Sequence, residues 1–149
     1  QEIYEYPRTP FVAQFIGSVN SIEGDIGECR PDAVTVTGAG RRALVVKPSR
    51  DGARPLPVVQ PGAHARILVR PEKLKILKSA PGPEQNSVEG TLKEVLYQGP
   101  ITQFFVDLKG VSGPPAIVAQ PNTAVTARKA FTIGEKVYVA WAPEDCLLL

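Results

Sequence analysis

The sequence is poor in the residues from which metal centres and catalytic sites are usually built. It has no methionine, one tryptophan, one histidine and two cysteines. Cys29 and Cys146 are far apart and form no zinc-binding spacing with His64, so we expect two reduced thiols. A phosphate-binding loop and a serine-hydrolase elbow are also absent. We therefore expect these residues to catalyse no reaction, bind no metal and require no cofactor.

Long apolar runs and a strong charge of one sign are missing as well. No stretch approaches the ~20 apolar residues that cross a bilayer, and the N-terminus lacks the pattern of a signal peptide. The net charge of +2 is too small to require nucleic acid or an anionic membrane as a partner. Because the chain starts with Gln1 and contains no methionine, we expect it to be a piece of a longer protein.

Turn-forming residues, by contrast, are abundant. The chain has 15 prolines and 13 glycines, which favour many short strands joined by turns. One segment predicts a helix, at residues 9–17, where Thr9 can be the N-cap, Pro10 the first helical residue and Gly17 the residue after the end. The rest of the chain predicts strands and loops, including a solvated loop at residues 48–57.

Two motifs occur twice in the same order. Residues 67–77 align without a gap with residues 139–149, and each segment reads as an apolar strand, a Pro-Glu corner and a second short strand. An Asn-Ser-apolar-Glu-Gly motif at the start of residues 20–26 returns in residues 86–92. Such ordered recurrence indicates two copies of one β-rich unit. We predict a junction at 1–19, a first OB-like copy at 20–79 and a second OB-like copy at 80–149, the two packed as one unit.

The predicted fold class is all-β. Many short strands around a modest core favour small OB-like barrels, because closure removes exposed strand edges. Alternation along residues 102–108 places Phe104, Val106 and Leu108 on one face. It also predicts that Trp141 is buried and that Val69 occupies the matching place in the first copy.

The candidate site residues are the motif residues of the two corners. They are Arg70, Pro71, Glu72, Trp141, Pro143, Glu144 and Asp145. Glu144 and Asp145 could coordinate a cation, but carboxylates at a corner more often accept backbone N–H groups and fix the turn.

A basic cluster surrounds the first corner, and it includes Arg66 and Lys75. A nucleic-acid surface would need exposed aromatic residues among such charges. The nearest aromatic residues are Tyr97, Phe104 and Phe105, which we predict to face largely inward. The cluster is therefore interpreted as a solvated basic edge, and nucleic acid is not expected as a partner. His64 is interpreted as a solvated histidine rather than a general base.

These motifs together resemble a known family. Residues 3–17 and Asn20 resemble the end of the nucleotide-binding domain in the ATP-binding subunits of ABC-type importers. Residues 69–72, Gly90 through Gly99 and Gly134 through Asp145 resemble the transport-associated OB (TOBE) domain that follows it. The resemblance spans almost the whole chain. No family pattern is found in the loops at 48–57 and 122–131.

The resemblance implies a regulatory, dimer-supporting domain of an importer's ATP-binding subunit. It implies that the predicted N-terminal helix is left from the nucleotide-binding domain and that ATP and Mg²⁺ bind upstream. The implied partners are that upstream domain, a second copy of the chain, the membrane permease subunits and a small-molecule regulator. The implied location is cytoplasmic, at the inner face of the cell membrane. The transported solute is not indicated by these residues.

A second reading stays open at this point. OB folds often bind ligands in a groove, so the chain could be a free-standing module that binds nucleic acid or a small oxyanion. Fold alone does not choose between the two readings. The helical segment at 9–17 favours the importer reading, because a free module does not need it.

Overall fold

The computed structural model describes residues 19–38, 43–122 and 131–149. The predicted N-terminal helix at 9–17 lies outside the described residues. The described part is all-β, which confirms the predicted fold class, and its only helical turns are two short 3-10 turns, at Pro71–Lys73 and Pro143–Asp145. These are the two Pro-Glu corners, called the first and the second corner below. The strands are β1 Asn20–Arg30, β2 Ala33–Thr37, β3 Leu44–Val46, β4 His64–Val69, β5 Lys75–Leu77, β6 Asn86–Gln98, β7 Ile101–Leu108, β8 Ala116–Pro121, β9 Lys136–Trp141 and β10 Leu147–Leu148.

The strands form two five-stranded antiparallel sheets. The first sheet has the order β10-β4-β1-β2-β3, and the second has the order β5-β9-β6-β7-β8. In each sheet the long first strand of a copy, β1 or β6, lies in the middle and pairs with a strand on either side. No helix of the described residues is long and apolar enough to cross a membrane.

The two copies are related strand by strand, as the sequence predicts. Asn20 pairs with Val69 in the first sheet, and Asn86 pairs with Trp141 in the second. A bulge interrupts β1 directly after Ile26, and another interrupts β6 at the equivalent place after Leu92. A bulge bends and twists a strand, so its repetition gives both sheets the same curvature.

The turn that leads into the last long strand of each copy is also repeated. Gly62 and Gly134 have φ values of 87° and 92°, a region that only glycine enters without strain. The amide of Gly62 donates to the carbonyl of Ile26 at 2.7 Å, and the amide of Gly134 donates to that of Leu92 at 2.7 Å. This glycine therefore fixes the register of the turn against the bulged strand in both copies.

The compact units of the structure are not the two sequence copies taken whole. One unit joins the chain up to Arg70 with Pro143–Leu149, and the other is Pro71–Ala142. The difference from the predicted boundary at 79/80 arises because β5 pairs with β9 and β10 pairs with β4. The corner and final strand of each copy thus complete the sheet of the other copy.

Each corner also helps to close the sheet that it joins. In the second unit the first corner packs against β8, and β5 contacts β8 although the two strands are opposite edges of the sheet. In the first unit the second corner packs against β3. The edges meet directly in the second unit and through the second corner in the first, which gives the units the character of small OB-like barrels.

The core of each unit is formed by the inward-facing residues of its own sheet. Trp141 has 0% of its surface exposed and Val69 has 1%, which confirms the predicted burial at this matched position. Phe104 and Val106 are buried on the same face of β7, again as predicted. The structure describes both cysteines, and both are thiols, with Cys146 buried and Cys29 exposed.

Candidate functional site

The first corner is a structural turn with an exposed tip that carries one acidic and one basic residue. Pro71 is buried while Glu72 and Lys73 are exposed, and Arg70 before them is half-buried. The amide of Leu74 donates to the carbonyl of Pro71 at 3.3 Å and closes the turn. The buried proline fixes the backbone where the chain passes into the second unit.

The second corner is held from outside by the segment after β3. Pro143 is buried, and its carbonyl accepts a hydrogen bond from the amide of Lys47 at 3.0 Å. The guanidinium of Arg54 donates to the carbonyl oxygens of Cys146 and Glu144, at 2.9 and 3.2 Å. Arg54 therefore bridges two carbonyls at the end of the turn. The forked guanidinium makes this possible, because its two terminal nitrogens donate to different acceptors.

An ion pair adds to this contact at the surface. Nη1 of Arg50 lies 2.7 Å from Oδ1 of Asp145, and Nη2 lies 3.7 Å from Oε1 of Glu144. The hydrogen bond to the Asp145 carboxylate, and then its charge, raise the pKa of Arg50 above its ordinary value. The carboxylates of the second corner thus face a guanidinium. The prediction that they fix the turn by accepting backbone N–H groups missed this partner.

The loop that supplies both arginines is ordered by its own polar residues. Ser49 is buried, its hydroxyl donates to Oδ1 of Asp51 at 2.7 Å, and it accepts the Arg54 amide at 2.9 Å. The amide of Ala53 donates to Oδ1 of Asp51 at 2.9 Å, and this bond, followed by that from Ser49, lowers the pKa of Asp51. The prediction of a solvated loop at 48–57 holds for residues 50–53, which are exposed, but it missed the buried Ser49 and its hydrogen bonds.

An exposed charged face lies on β1 and β4 of the first unit. Nε2 of His64 lies 2.8 Å from Oε1 of Glu23, and Arg66 donates to the other oxygen of Glu23 at 3.1 Å. The hydrogen bond with His64, and next the charge of Arg66, lower the pKa of Glu23. Asp25 is a second carboxylate near His64, at 3.7 Å from Nδ1. These side chains are largely solvent-accessible, which agrees with the interpretation of His64 as a surface residue.

The second unit also has a charged surface contact, which lies just after β5. Nζ of Lys78 lies 2.8 Å from Oε2 of Glu135 and 5.2 Å from the ring centre of Phe131. The hydrogen bond from Lys78, and then the bond from the Thr132 amide, lower the pKa of Glu135. Phe131 packs edge-to-face on Phe104 with 5.7 Å between the ring centres. The contact ties the end of the first copy to the segment before β9.

The aromatic residues near the basic edge do not all face inward. Phe104 is buried, but Phe105 lies on the opposite face of β7 and is half-buried, while Tyr97 is 57% exposed. The prediction that all three are core-directed is therefore wrong for Tyr97 and Phe105. Tyr97 is exposed because it lies beyond Thr91, the last residue of β6 that pairs with β9.

The described residues offer little chemistry for catalysis. No group of three or more His, Cys, Asp or Glu side chains among them could hold a metal ion. The charged side chains form ion pairs at the surface, and two arginines hold the turn at the second corner. The arrangement is suited to holding corners and presenting surfaces, and it defines a tandem of OB-like units.

Comparison with known proteins identifies the family. The TOBE domain family matches residues 67–149, which is more than half of the sequence, and the chain belongs to that family. The matched segment includes both corners and begins inside β4.

Curated relatives match the chain from end to end. It is 33% identical over 150 residues to the spermidine/putrescine import ATP-binding protein PotA of Trichodesmium erythraeum. It is also 33% identical over 150 residues to the putrescine transport ATP-binding protein PotG of Escherichia coli. All of the chain is covered in both comparisons, but only 38% and 37% of those two proteins. The chain thus spans little more than a third of the length of the relatives it matches.

A solved structure supports the fold. The cytoplasmic molybdate-binding protein ModG, in a crystal form with molybdate bound, matches with a TM-score of 0.64 at 18% identity. The match covers 87% of this chain and 94% of that chain. At such low identity the likeness shows the OB-type fold and nothing of the ligand.

Proposed function

We propose that the chain is the C-terminal, non-catalytic region of the ATP-binding subunit of an ABC-type importer, where it supports subunit pairing and regulation. The observation that carries the proposal is the end-to-end similarity at 33% identity to ATP-binding proteins of polyamine importers. ATP and Mg²⁺ then bind in an upstream domain, and the subunit works at the inner face of the membrane with its permease partners. The same similarity favours a polyamine as the transported solute.

The four charged contacts support a scaffolding role. Arg54 and Arg50 hold the second corner, Lys78 holds Glu135, and Arg66 holds Glu23, so much of the charge is engaged in keeping turns and strands together. A domain that is carried by a catalytic subunit must keep its shape while that subunit opens and closes around nucleotide. Fixed turns and two small OB-like barrels meet this requirement.

A chimaera tests the proposal directly. The matching C-terminal region of Escherichia coli PotG would be replaced by this chain, and putrescine uptake measured in cells that lack PotG. We expect uptake to return to a large part of its normal rate. A chimaera that accumulates and hydrolyses ATP but restores no uptake would contradict the importer role, as would saturable ATP hydrolysis by the isolated chain.

The other candidate function is oxyanion binding by a free-standing module. It is favoured only by the fold that the chain has in common with ModG, which binds molybdate. Calorimetric titration of the chain with molybdate, with sulfate as the matched anion, separates the two candidates. Tight binding of molybdate combined with failure of the chimaera would favour the free module.

A further inference from the structure

One dipeptide of the chain has a chemistry that the proposed function does not use. Asp51-Gly52 is the only Asp-Gly pair in the sequence, and no Asn-Gly pair occurs. Such pairs are favoured starting points of spontaneous succinimide formation, because glycine has no side chain to hinder the attack of its own amide nitrogen. Asn20 and Asn86 each precede a serine, which is a slower form of the same pair, but both are buried. The chemistry is therefore concentrated at one place.

The pair lies at the tip of the loop that holds the second corner. Residues 50–53 are all exposed to solvent. Gly52 has a φ of 73°, and no atom lies within 4 Å of the place that a Cβ would take. Exposed loop tips with small residues are the backbone that water and modifying reagents reach first. Neither the approach of water nor a change of backbone conformation meets a steric obstacle there.

The hydrogen bonds of the loop oppose the reaction at both reacting groups. The carbon open to attack is Cγ of Asp51, whose Oδ1 accepts from the Ser49 hydroxyl at 2.7 Å and from the Ala53 amide at 2.9 Å. The bond from Ala53, followed by that from Ser49, lowers the pKa of Asp51, and the ionised carboxyl is attacked less readily than the acid. The attacking nitrogen is that of Gly52, which donates to the carbonyl of Ser49 at 3.0 Å. Both groups are thus engaged while the loop is closed, and a local opening releases them together.

We propose that Asp51-Gly52 is an isoaspartate-forming site that the closed loop protects, and that its conversion releases the second corner. In the first step the nitrogen of Gly52 bonds to Cγ of Asp51, and its proton leaves with the side-chain hydroxyl as water. In the second step water adds to the former peptide carbonyl of Asp51, whose bond to the nitrogen breaks. The chain then runs through Cβ and Cγ, and the α-carboxylate becomes the side group. Water is lost and regained, so no oxidant or other reactant is needed.

The product no longer fits the closed loop. The Ser49 amide donates to the Arg54 carbonyl at 3.1 Å, and the Arg54 amide donates to the Ser49 hydroxyl at 2.9 Å. An isoaspartate inserts an extra backbone carbon between these two residues and removes the side chain that orders the tip. The same loop positions the guanidinium of Arg54 on the carbonyls of Glu144 and Cys146. Conversion should therefore loosen the second corner.

Ageing of the 149-residue chain at physiological temperature tests the proposal. A protein isoaspartyl methyltransferase with a labelled methyl donor counts the isoaspartate, and peptide fragmentation that distinguishes the two linkages locates it. We expect it at residue 51, and we expect it to form faster in urea than in the native chain. Ser49→Ala should raise the native rate by about threefold or more, because a lost hydrogen bond makes opening easier by such a factor. Ser112→Ala is the matched control, because Ser112 is an exposed serine of the other unit.

The link to the second corner has a readout of its own. The Lys47 amide is bonded to the Pro143 carbonyl, and its hydrogen should exchange about threefold faster or more in the separated, converted protein. Asp51→Asn provides a second variant in case Ser49→Ala does not fold, since it keeps an oxygen that can accept from Ser49 and Ala53. Its cyclisation releases ammonia, so conversion is read as an increase in mass, and it should again be slower in the native chain than in urea.

Each other result overturns a named part of the proposal. Equal rates in the native and the urea-unfolded chain, or in the unaltered protein and a folded Ser49→Ala variant, would show that the loop gives no protection. Isoaspartate that forms mainly at Asn20 or Asn86 would place the reactive site elsewhere. Unchanged exchange at Lys47 after conversion would separate the modification from the second corner. The importer role stands or falls separately, with the chimaera.

Discussion

Trp141 occupies a position that is repeated in the sequence and buried in the core. It stands where the first copy has Val69, and both are buried on the strand that leads into a corner. The larger ring fills space in the second unit that a valine would leave empty. Its indole nitrogen is buried and makes no hydrogen bond to any residue that the structure describes. Its contribution to stability is therefore one of packing.

Two replacements of Trp141 should distinguish how much its packing and its buried indole N–H each contribute to stability. We expect Trp141→Ala to lower the free energy of unfolding by about 3–5 kcal/mol, as deletion of a large buried aromatic side chain does. Trp141→Phe should lower it much less, because it keeps most of the packing and removes an unbonded buried N–H. Urea unfolding followed by circular dichroism measures both. An emission spectrum of the unaltered protein typical of a solvated indole would contradict the burial.

Arg54 is the residue whose role the sequence pattern could not reveal. Its two carbonyl acceptors, on Glu144 and Cys146, follow about 90 residues later in the chain. Local composition predicts only that a Pro-, Gly- and charge-rich stretch forms a loop. The same limit applies to Arg50, because neither periodicity nor motif spacing reports which distant turn a loop arginine will meet.

Removal of Arg54 should loosen the second corner in particular. Arg54→Ala leaves two half-buried carbonyl oxygens without their guanidinium donor, so we expect a loss of about 1–3 kcal/mol in unfolding free energy. Arg30→Ala serves as the control, because Arg30 is exposed and pairs at the surface with the exposed Glu28. Equal stability of the Arg54→Ala and Arg30→Ala proteins would show that the carbonyl contacts contribute nothing.

At the scale of elements, the long strands were predictable, whereas the partners of the two short final strands were not. The recurrence of Asn20 in Asn86 and of Pro71 in Pro143 reports two copies, because each motif occupies the same place in the ladder. β5 and β10 have only three and two residues. So few residues carry no pattern that specifies a partner strand, and either sheet could accept them. The exchange of final strands could therefore not be predicted from the sequence and is seen in the structure.

The exchange predicts crossed effects of two equivalent substitutions. Leu148, in the second copy, belongs to the first sheet, and Ile76, in the first copy, belongs to the second sheet. Both side chains are buried. Leu148→Asp should speed amide hydrogen exchange in β4, and Ile76→Asp should speed it in β9, because a buried unpaired carboxylate opens the edge that holds it. If each substitution speeded amide hydrogen exchange only in the sheet of its own sequence copy, the exchange of final strands between the copies would be contradicted.

The molecule as a whole should lose stability in acid. Glu23, Asp51 and Glu135 each have a pKa below the ordinary value in the folded protein. The unfolded chain therefore binds more protons, and the stability from these carboxylates is complete above the ordinary values of 4.5 for Glu and 3.8 for Asp. It is lost as the pH falls through those values to the lowered ones.

Thermal unfolding at a series of acidic pH values measures this loss. A protein with Glu23→Gln, Asp51→Asn and Glu135→Gln should be less stable near neutral pH and should show a flatter dependence on pH. High salt should flatten the dependence of the unaltered protein as well, since these carboxylates are exposed to solvent. An unchanged slope in the triple variant would assign the acid sensitivity to other groups.

The exchanged strands also set an order for folding during synthesis. Every residue of the unit Pro71–Ala142 lies in one continuous stretch, whereas the other unit needs Pro143–Leu149 to add β10 and the second corner. Domains usually fold in the order in which the ribosome delivers them. Here the part of the first unit that precedes Pro71 must wait with an open sheet edge until residues 143–149 emerge, and Pro71–Ala142 can close before it. The newborn chain therefore passes through an interval in which the edge of β4 is unprotected, when a chaperone or a neighbouring nascent chain could reach it.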